Sequence, residues 1–172
     1  MAKTKTKAKT KAKPKAKRSI IRTSTEDDIK YVAKHLRKAD KQELKALVGI
    51  DPYVALYMSA INSVEPMTWE FDGKPVMMWG ACPLDETTGK AWAVGTDDIF
   101  KKDAKATFKR GCRKQLDKLH DNFELLVNVI DARNELHLQW LKDMDFKVIR
   151  KIDEMGVEQR PFYEFARIKN AE

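Results

Sequence analysis

Residues 124–146, ELLVNVIDARNELHLQWLKDMDF, limit what this chain can fold into more than any other stretch. Leu125, Leu126, Val127, Val129 and Ile130 form an apolar run that reads as a strand covered on both faces. Asp131, Ala132 and Arg133 turn the chain, and Asn134 fits the N-cap of a helix. Leu136, Trp140, Leu141 and Met144 then recur at helical spacing, and the helix closes at Asp145-Phe146. A strand, a short loop and a helix leading to a further strand make a compact αβ unit.

The flanking sequence supplies partners for that unit. Residues 19–23 read as a first strand, and Ser24 or Thr25 caps a helix opening with Glu26, Asp27 and Asp28, acids suited to the positive end of a helix dipole. Ile29, Val32, Ala33 and Leu36 are its buried stripe. A short helix is expected around 42–48, and another begins at Pro52, with Val54, Tyr57, Met58 and Ile61 on one face. Asp72-Gly73 between 68–71 and 76–82 is a strong hairpin signal, and a third strand starts at 91–94. A long helix lies within 96–121, with Ala104, Phe108, Cys112, Leu116 and Leu119 as its core stripe. Residues 147–152 and 162–168 close the chain as an antiparallel pair. The order β-α-α-α-β-β-β-α-β-α-β-β predicts an α/β sandwich around a mixed, mostly antiparallel central sheet.

Charge separates a tail from this body. The net charge of +8 sits in the first 18 residues, which carry Lys3, Lys5, Lys7, Lys9, Lys11, Lys13, Lys15, Lys17 and Arg18 and no acid. Built from Lys, Ala, Thr and one Pro after Met1, residues 1–18 have nothing with which to bury a core, and a disordered basic tail is expected there. Nucleic-acid phosphates, those of DNA among them, or an anionic surface suit such a tail; the bland alternative is a solubility tail. Residues 19–172 form one domain. Cys82 and Cys112 lack metal-ligand spacing and read as two thiols in a reducing compartment. No apolar run reaches the ~18–20 residues that span a bilayer, and the N-terminus lacks a secretory apolar region. A soluble, non-secreted protein without membrane insertion is expected.

Within 124–146 the sequence also resembles the second half of the GNAT N-acetyltransferase core. That core runs from a strand to an Asn, then seven residues on to a Tyr and four more to Gly-Phe. Asn134 and Phe146 stand at the matching places, with Leu141 for the Tyr and Asp145 for the Gly. The chain is more closely similar to the GNAT-like internal virion protein A family of autographivirus-type podophages. That similarity lies at Asn134, His137 and Trp140-Leu141-Lys142, and upstream at Trp92-Ala93-Val94 and Thr96-Asp97. It covers roughly residues 20–169. It implies a GNAT-like sandwich and a role in virion morphogenesis or ejection. It also implies phage capsid, portal or internal virion proteins as partners, in the infected host cytoplasm or the virion interior.

The GNAT resemblance sets chemical requirements as well. Its enzymes rest the acyl-CoA pyrophosphate on free N–H groups at the start of the long helix, in a Gly-x-Gly/Ala loop. Here 94–103 has no Gly-x-Gly, and Asp97, Asp98 and Asp103 are expected to put carboxylates at that helix start, where they could cap the N–H groups. Leu141 cannot supply the proton that the family's Tyr gives to the departing thiolate. Two readings stay open. One is a non-catalytic GNAT-like phage protein with no cofactor. The other is an N-acyltransferase using acetyl-CoA through a divergent loop. Under the second, Val94, Thr96 and Asn134 would hold the cofactor. His137, one turn before Leu141, is the candidate catalytic residue, against a structural histidine at the helix–sheet boundary. The sequence carries no metal-ligand spacing, no Gly-x-Ser-x-Gly and no P-loop. Cys82 lies in an apolar strand, where a thiolate is disfavoured.

Overall fold

The computed structural model describes residues 19–169, so the tail expected over 1–18 lies outside the described residues. The elements run β1 (Ser19–Thr23), α1 (Glu26–His35), α2 (Lys38–Leu47), α3 (Pro52–Ile61), β2 (Val64–Phe71), β3 (Lys74–Pro83) and β4 (Thr88–Gly95). A 3₁₀ turn (Asp97–Phe100) precedes α4 (Lys102–Leu119), and β5 (Leu125–Asp131), α5 (Glu135–Asp143), β6 (Lys147–Met155) and β7 (Arg160–Ile168) complete the chain. This is the α/β order that periodicity predicts, with the 3₁₀ turn added.

Local chemistry accounts for most boundaries. Thr25 and Asp28 form a reciprocal capping box at α1. Asp51 caps α3, whose first residue is Pro52. Asp72 and Gly73 both take positive φ, 54° and 79°, as a tight hairpin between β2 and β3 requires. Two starts differ from expectation. Helix α2 begins at Lys38, four residues before 42, because its first turns direct acids rather than apolar side chains inward. Strand β2 begins at Val64, carried past an irregularity between Val64 and Met67 where Glu65 has φ 49°.

The seven strands form one sheet in the order β1-β2-β3-β4-β5-β7-β6. Every neighbouring pair is antiparallel except β4 and β5, which α4 links as a crossover. Alternation along β3 and β4 divides the core between the two faces. Trp69, Met77, Trp79, Ala91, Leu116, Leu126, Leu141 and Phe165 pack on the side of α4 and α5. On the opposite side Ile29, Val32, Leu36, Leu56, Ala60 and Met78 pack, with Trp92 and Val94 against them. Among the described residues no single helix is long and apolar enough to cross a membrane.

The parallel pair is incomplete. Strands β4 and β5 match only at Thr88, Gly89 and Lys90 with Leu125, Leu126 and Val127. Beyond that point they part. This corrects the expectation that 125–130 is covered on both faces, since Leu125, Val127, Asn128 and Val129 are only half-buried.

Candidate functional site

The gap between the parted strands is lined first by backbone. Thr96 N–H donates to the Val76 carbonyl and Leu84 N–H to that of Thr88, which fixes the hydrogen-bonded positions of the β3–β4 ladder. By the alternation of antiparallel pairs, Trp92 and Val94 also turn their backbone groups toward β3, while Ala91, Ala93 and Gly95 turn theirs toward β5. Asn128 Nδ2 reaches across to the Ala91 carbonyl at 2.7 Å. Gly95 N–H donates to Asp40 Oδ2 at 3.1 Å, and its carbonyl accepts from Arg37 N–H. Ala93 lies between them, past the last β4–β5 pair, with its N–H and C=O facing the gap.

A cluster of charged and polar groups closes the far end. The α1–α2 connection is held over β4 by the Leu36–Thr96 bridge, and α2 projects Asp40 and Glu43 into the gap. Arg37 forks onto Asp40 at 2.9 and 2.5 Å and lies over the Phe100 ring. From the other strand, Asn134 Nδ2 donates to Glu43 Oε2 at 3.1 Å and Asp131 N–H to the same oxygen at 3.3 Å. Asn134 Nδ2 also lies 3.4 Å from Asp40 Oδ1. Burial works to raise the Asp131 carboxyl, but the Arg133 guanidinium and N–H overcome it and hold Asp131 below its ordinary range. Glu43 has no such cation. Burial, with the Asp40 charge beside it, pushes its carboxyl up to about 8 against the pull of the Asn134 hydrogen bond. Burial also pushes the His137 imidazole down to about 4, and its Nδ1 has no hydrogen-bond partner.

Glu43 and His137 face one cavity of about 500 Å³, a volume suited to small-molecule binding. It is walled from both sides of the sheet. Glu43, Leu47, Ile50, Met58 and Ser59 contribute on the α2–α3 side, and Phe108, Cys112, Leu116 and Trp140 on the α4–α5 side. The parted strands join the two parts. Glu43 is half-buried and forms part of the cavity wall.

The residues singled out from sequence meet at this gap in different ways. Asn134 is the N-cap residue of α5, but its side chain makes no cap hydrogen bond and bridges to the acids of α2 instead. Val94 lines the cavity, yet its backbone pairs with β3, and the gap-facing groups are those of Ala93 and Gly95. Thr96 is buried with its N–H and C=O engaged and its hydroxyl unpartnered. His137 lines the cavity beside Trp140. Leu141 is a core residue.

At the helix start Asp103 stands in the first turn of α4 as expected, while Asp97 and Asp98 fall in the preceding 3₁₀ turn. Lys101 is the N-cap of α4 and makes no side-chain cap hydrogen bond, while Asp98 pairs with Lys101 Nζ at 2.9 Å. Asp145 adopts φ 65°, the left-handed conformation that a glycine there would serve, and pairs with Arg113. Sequence reasoning missed Arg37, Asp40 and Glu43. Their one signal is spacing: positions 37, 40 and 43 fall on one face of a helix begun at Lys38.

No family model and no curated protein matches the sequence. Solved structures do match in fold. Ard1 from Thermoplasma volcanium superposes with a TM-score of 0.65 at 13% identity, over 89% of this chain and 99% of that one. An N-acetyltransferase from Staphylococcus aureus Mu50 gives 0.65 at 12%, over 89% and 99%. The protein yncA from Salmonella typhimurium, solved with its cofactor acetyl-CoA, gives 0.62 at 12%, over 90% and 96%. The fold is that of the GNAT acetyltransferases. In this GNAT fold the parted β4 and β5 and the crossover helix α4 surround the cavity that holds Glu43 and His137.

Proposed function

We propose that this chain is an acyltransferase that moves an acyl group from a coenzyme A thioester, held in the gap between β4 and β5, to an amine. The observation that carries the reading is the coincidence in one cavity of an unpaired strand edge and a carboxyl poised near neutrality. The Ala93 N–H and C=O offer an extended, amide-bearing arm the hydrogen bonds that β5 no longer makes. The start of α4, where Lys101 makes no side-chain cap hydrogen bond, lies at the other end of such a molecule and would meet its phosphates with the Asp103 carboxylate in the same turn opposing them. The thioester supplies an activated acyl carbon and a thiolate leaving group.

The chain supplies position and proton handling. With a pKa of about 8, Glu43 is ionised in a useful fraction near neutral pH and takes a proton from the incoming ammonium, freeing the nitrogen lone pair to attack. The new C–N bond replaces the C–S bond. One of the two protons shed by the ammonium ends on the thiol, and the other leaves to water through Glu43. His137 is neutral at this pH, and its role is a hydrogen bond within the cavity rather than proton storage.

A thiol-release assay with acyl-CoA and a panel of amines tests the reading. The rate should rise with pH through about 8. Glu43→Gln should lower it roughly 10²–10⁴-fold, the usual size of a general-base contribution. No thiol release with any thioester and amine would contradict the proposal.

A second reading draws on Leu141, which is packed in the core where the related enzymes carry a proton donor. In that reading the fold is a non-catalytic scaffold that retains the gap. Its partners are phage capsid, portal or internal virion proteins, with DNA for the basic tail. Thioester binding seen by calorimetry, with no thiol released in that assay, would favour it.

A further inference from the structure

The sheet has two open edges, β1 and β6. Among the described residues β6 pairs with β7 alone, so one side of its backbone has no strand to receive its N–H and C=O groups. No helix or loop shields it either. Seven of its nine residues are exposed, Val148 at 43% and Ile149 at 58% among them.

Charge on an edge strand ordinarily deters pairing, because a second strand meets like sign there. The order of charge on β6 does the reverse. From 149 to 155 it reads Ile149, Arg150, Lys151, Ile152, Asp153, Glu154, Met155: two cations, a central isoleucine, two acids. An antiparallel copy turned about Ile152 sets Arg150 opposite Glu154 and Lys151 opposite Asp153, each twice by symmetry. Ile149 then faces Met155, and Ile152 meets its own counterpart. Neighbouring registers lose this match: centred on Lys151 or on Asp153, the copy meets like charge at its axis.

The side chains are already placed for it. Lys151 Nζ lies 2.5 Å from Asp153 Oδ1, so the two share a face, and a copy would extend the pair into four alternating charges. Arg150 Nε lies 2.6 Å from Glu164 Oε2 on β7, which leaves its open side to Glu154 of the copy. The ladder to β7 shifts register between Val148 and Arg150 and between Ile152 and Met155, and the regular stretch between the shifts carries both cations and the axis. The other edge offers no such pattern, since β1 has one cation, Arg22, and no acid.

We infer that β6 is a self-recognition edge: a second copy of this chain pairs with it antiparallel about Ile152, joining the two sheets into one. The inference is independent of the thioester site and stands or falls without it.

Sedimentation of the full chain over a concentration series tests this. The wild type should pass from monomer to dimer, and added salt should weaken the association, because the facing charges are exposed and screened. Arg150→Glu with Lys151→Glu should weaken it roughly tenfold or more, and so should Asp153→Lys with Glu154→Lys, since each doubly reversed strand faces its own copy with like charge throughout. Mixed in equal amounts, the two variants should associate as tightly as the wild type, because every facing pair is opposite again. Melting curves establish that both variants are folded, and recovery in the mixture separates a lost contact from a lost fold. A wild type that stays monomeric up to about 1 mM would overturn the inference. So would a dimer that both reversals leave intact, or variants that fail to recover on mixing.

Discussion

A carboxyl titrating near 8 leaves Glu43 mainly protonated at neutral pH and mainly ionised only above about 8. The same shift enters stability, with a sign that can be worked out. Between pH 6.5 and 8 the unfolded glutamate, ordinarily titrating at 4.5, is ionised, while the folded one is still mostly protonated and reaches half-ionisation only at about 8. The folded state therefore binds more protons, and stability falls as pH rises. His137 acts oppositely but lower: its folded pKa of about 4, against an ordinary 6.5, makes stability rise with pH across that interval. Above 6.5 only the Glu43 slope remains between these two. Denaturant melts should lose stability at about 1.4 kcal/mol per pH unit near pH 6.5–7, a slope that halves by pH 8. Glu43→Gln should flatten that slope, and an unchanged slope in the variant would place the titration elsewhere. Sequence alone points to Asn134 and His137 because each stands in a recognisable pattern. It hides Glu43, because a glutamate on a short charged helix has the appearance of a solvated face, and only the packing of α2 against β5 turns it inward.

Among elements, α2 and the β6–β7 turn depend on each other. Val157 and Glu158 N–H groups donate to the Leu47 and Ala46 carbonyls at the end of α2. Gly156 makes this approach available. It has φ 71°, and a Cβ there would sit 2.3 Å from the Ala46 carbonyl oxygen. Gly156→Ala is expected to destabilise by about 2 kcal/mol or more, combining left-handed strain with a backbone clash. Because α2 carries Asp40 and Glu43, the same variant should lower the Glu43-dependent rate, which a melt alongside the thiol-release assay would read. Apolar periodicity made most elements legible: α1, α3, α4 and α5 show stripes, and Asp72-Gly73 declares its hairpin. Helix α2 was half legible, since its buried face is partly ionic. The parting of β4 and β5 was not legible, because Leu125–Ile130 is apolar enough to read as a fully paired strand, and nothing local records where its partner ends.

For the whole molecule, charge separates two regions that should behave independently. The first 18 residues hold eight lysines and Arg18, while the remaining 25 basic and 26 acidic residues nearly balance. A chain comprising residues 19–172 should share its denaturation midpoint with the full chain. Its affinity for duplex DNA should be largely lost, while that of the full chain should fall steeply with salt. An earlier midpoint in the shorter chain would mean that the tail docks on the domain. The central claim concerns the sheet itself, in which parted strands leave the Ala93 backbone to receive a thioester arm. Amide NMR shifts recorded on titrating a non-hydrolysable acetyl-CoA analogue test it most directly. The Ala93 N–H should move downfield as it gains a hydrogen bond, with Gly95, Asp131 and the first turn of α4 shifting alongside it. An unmoved Ala93 in a saturated sample, with the shifts confined to other surfaces, would contradict the claim.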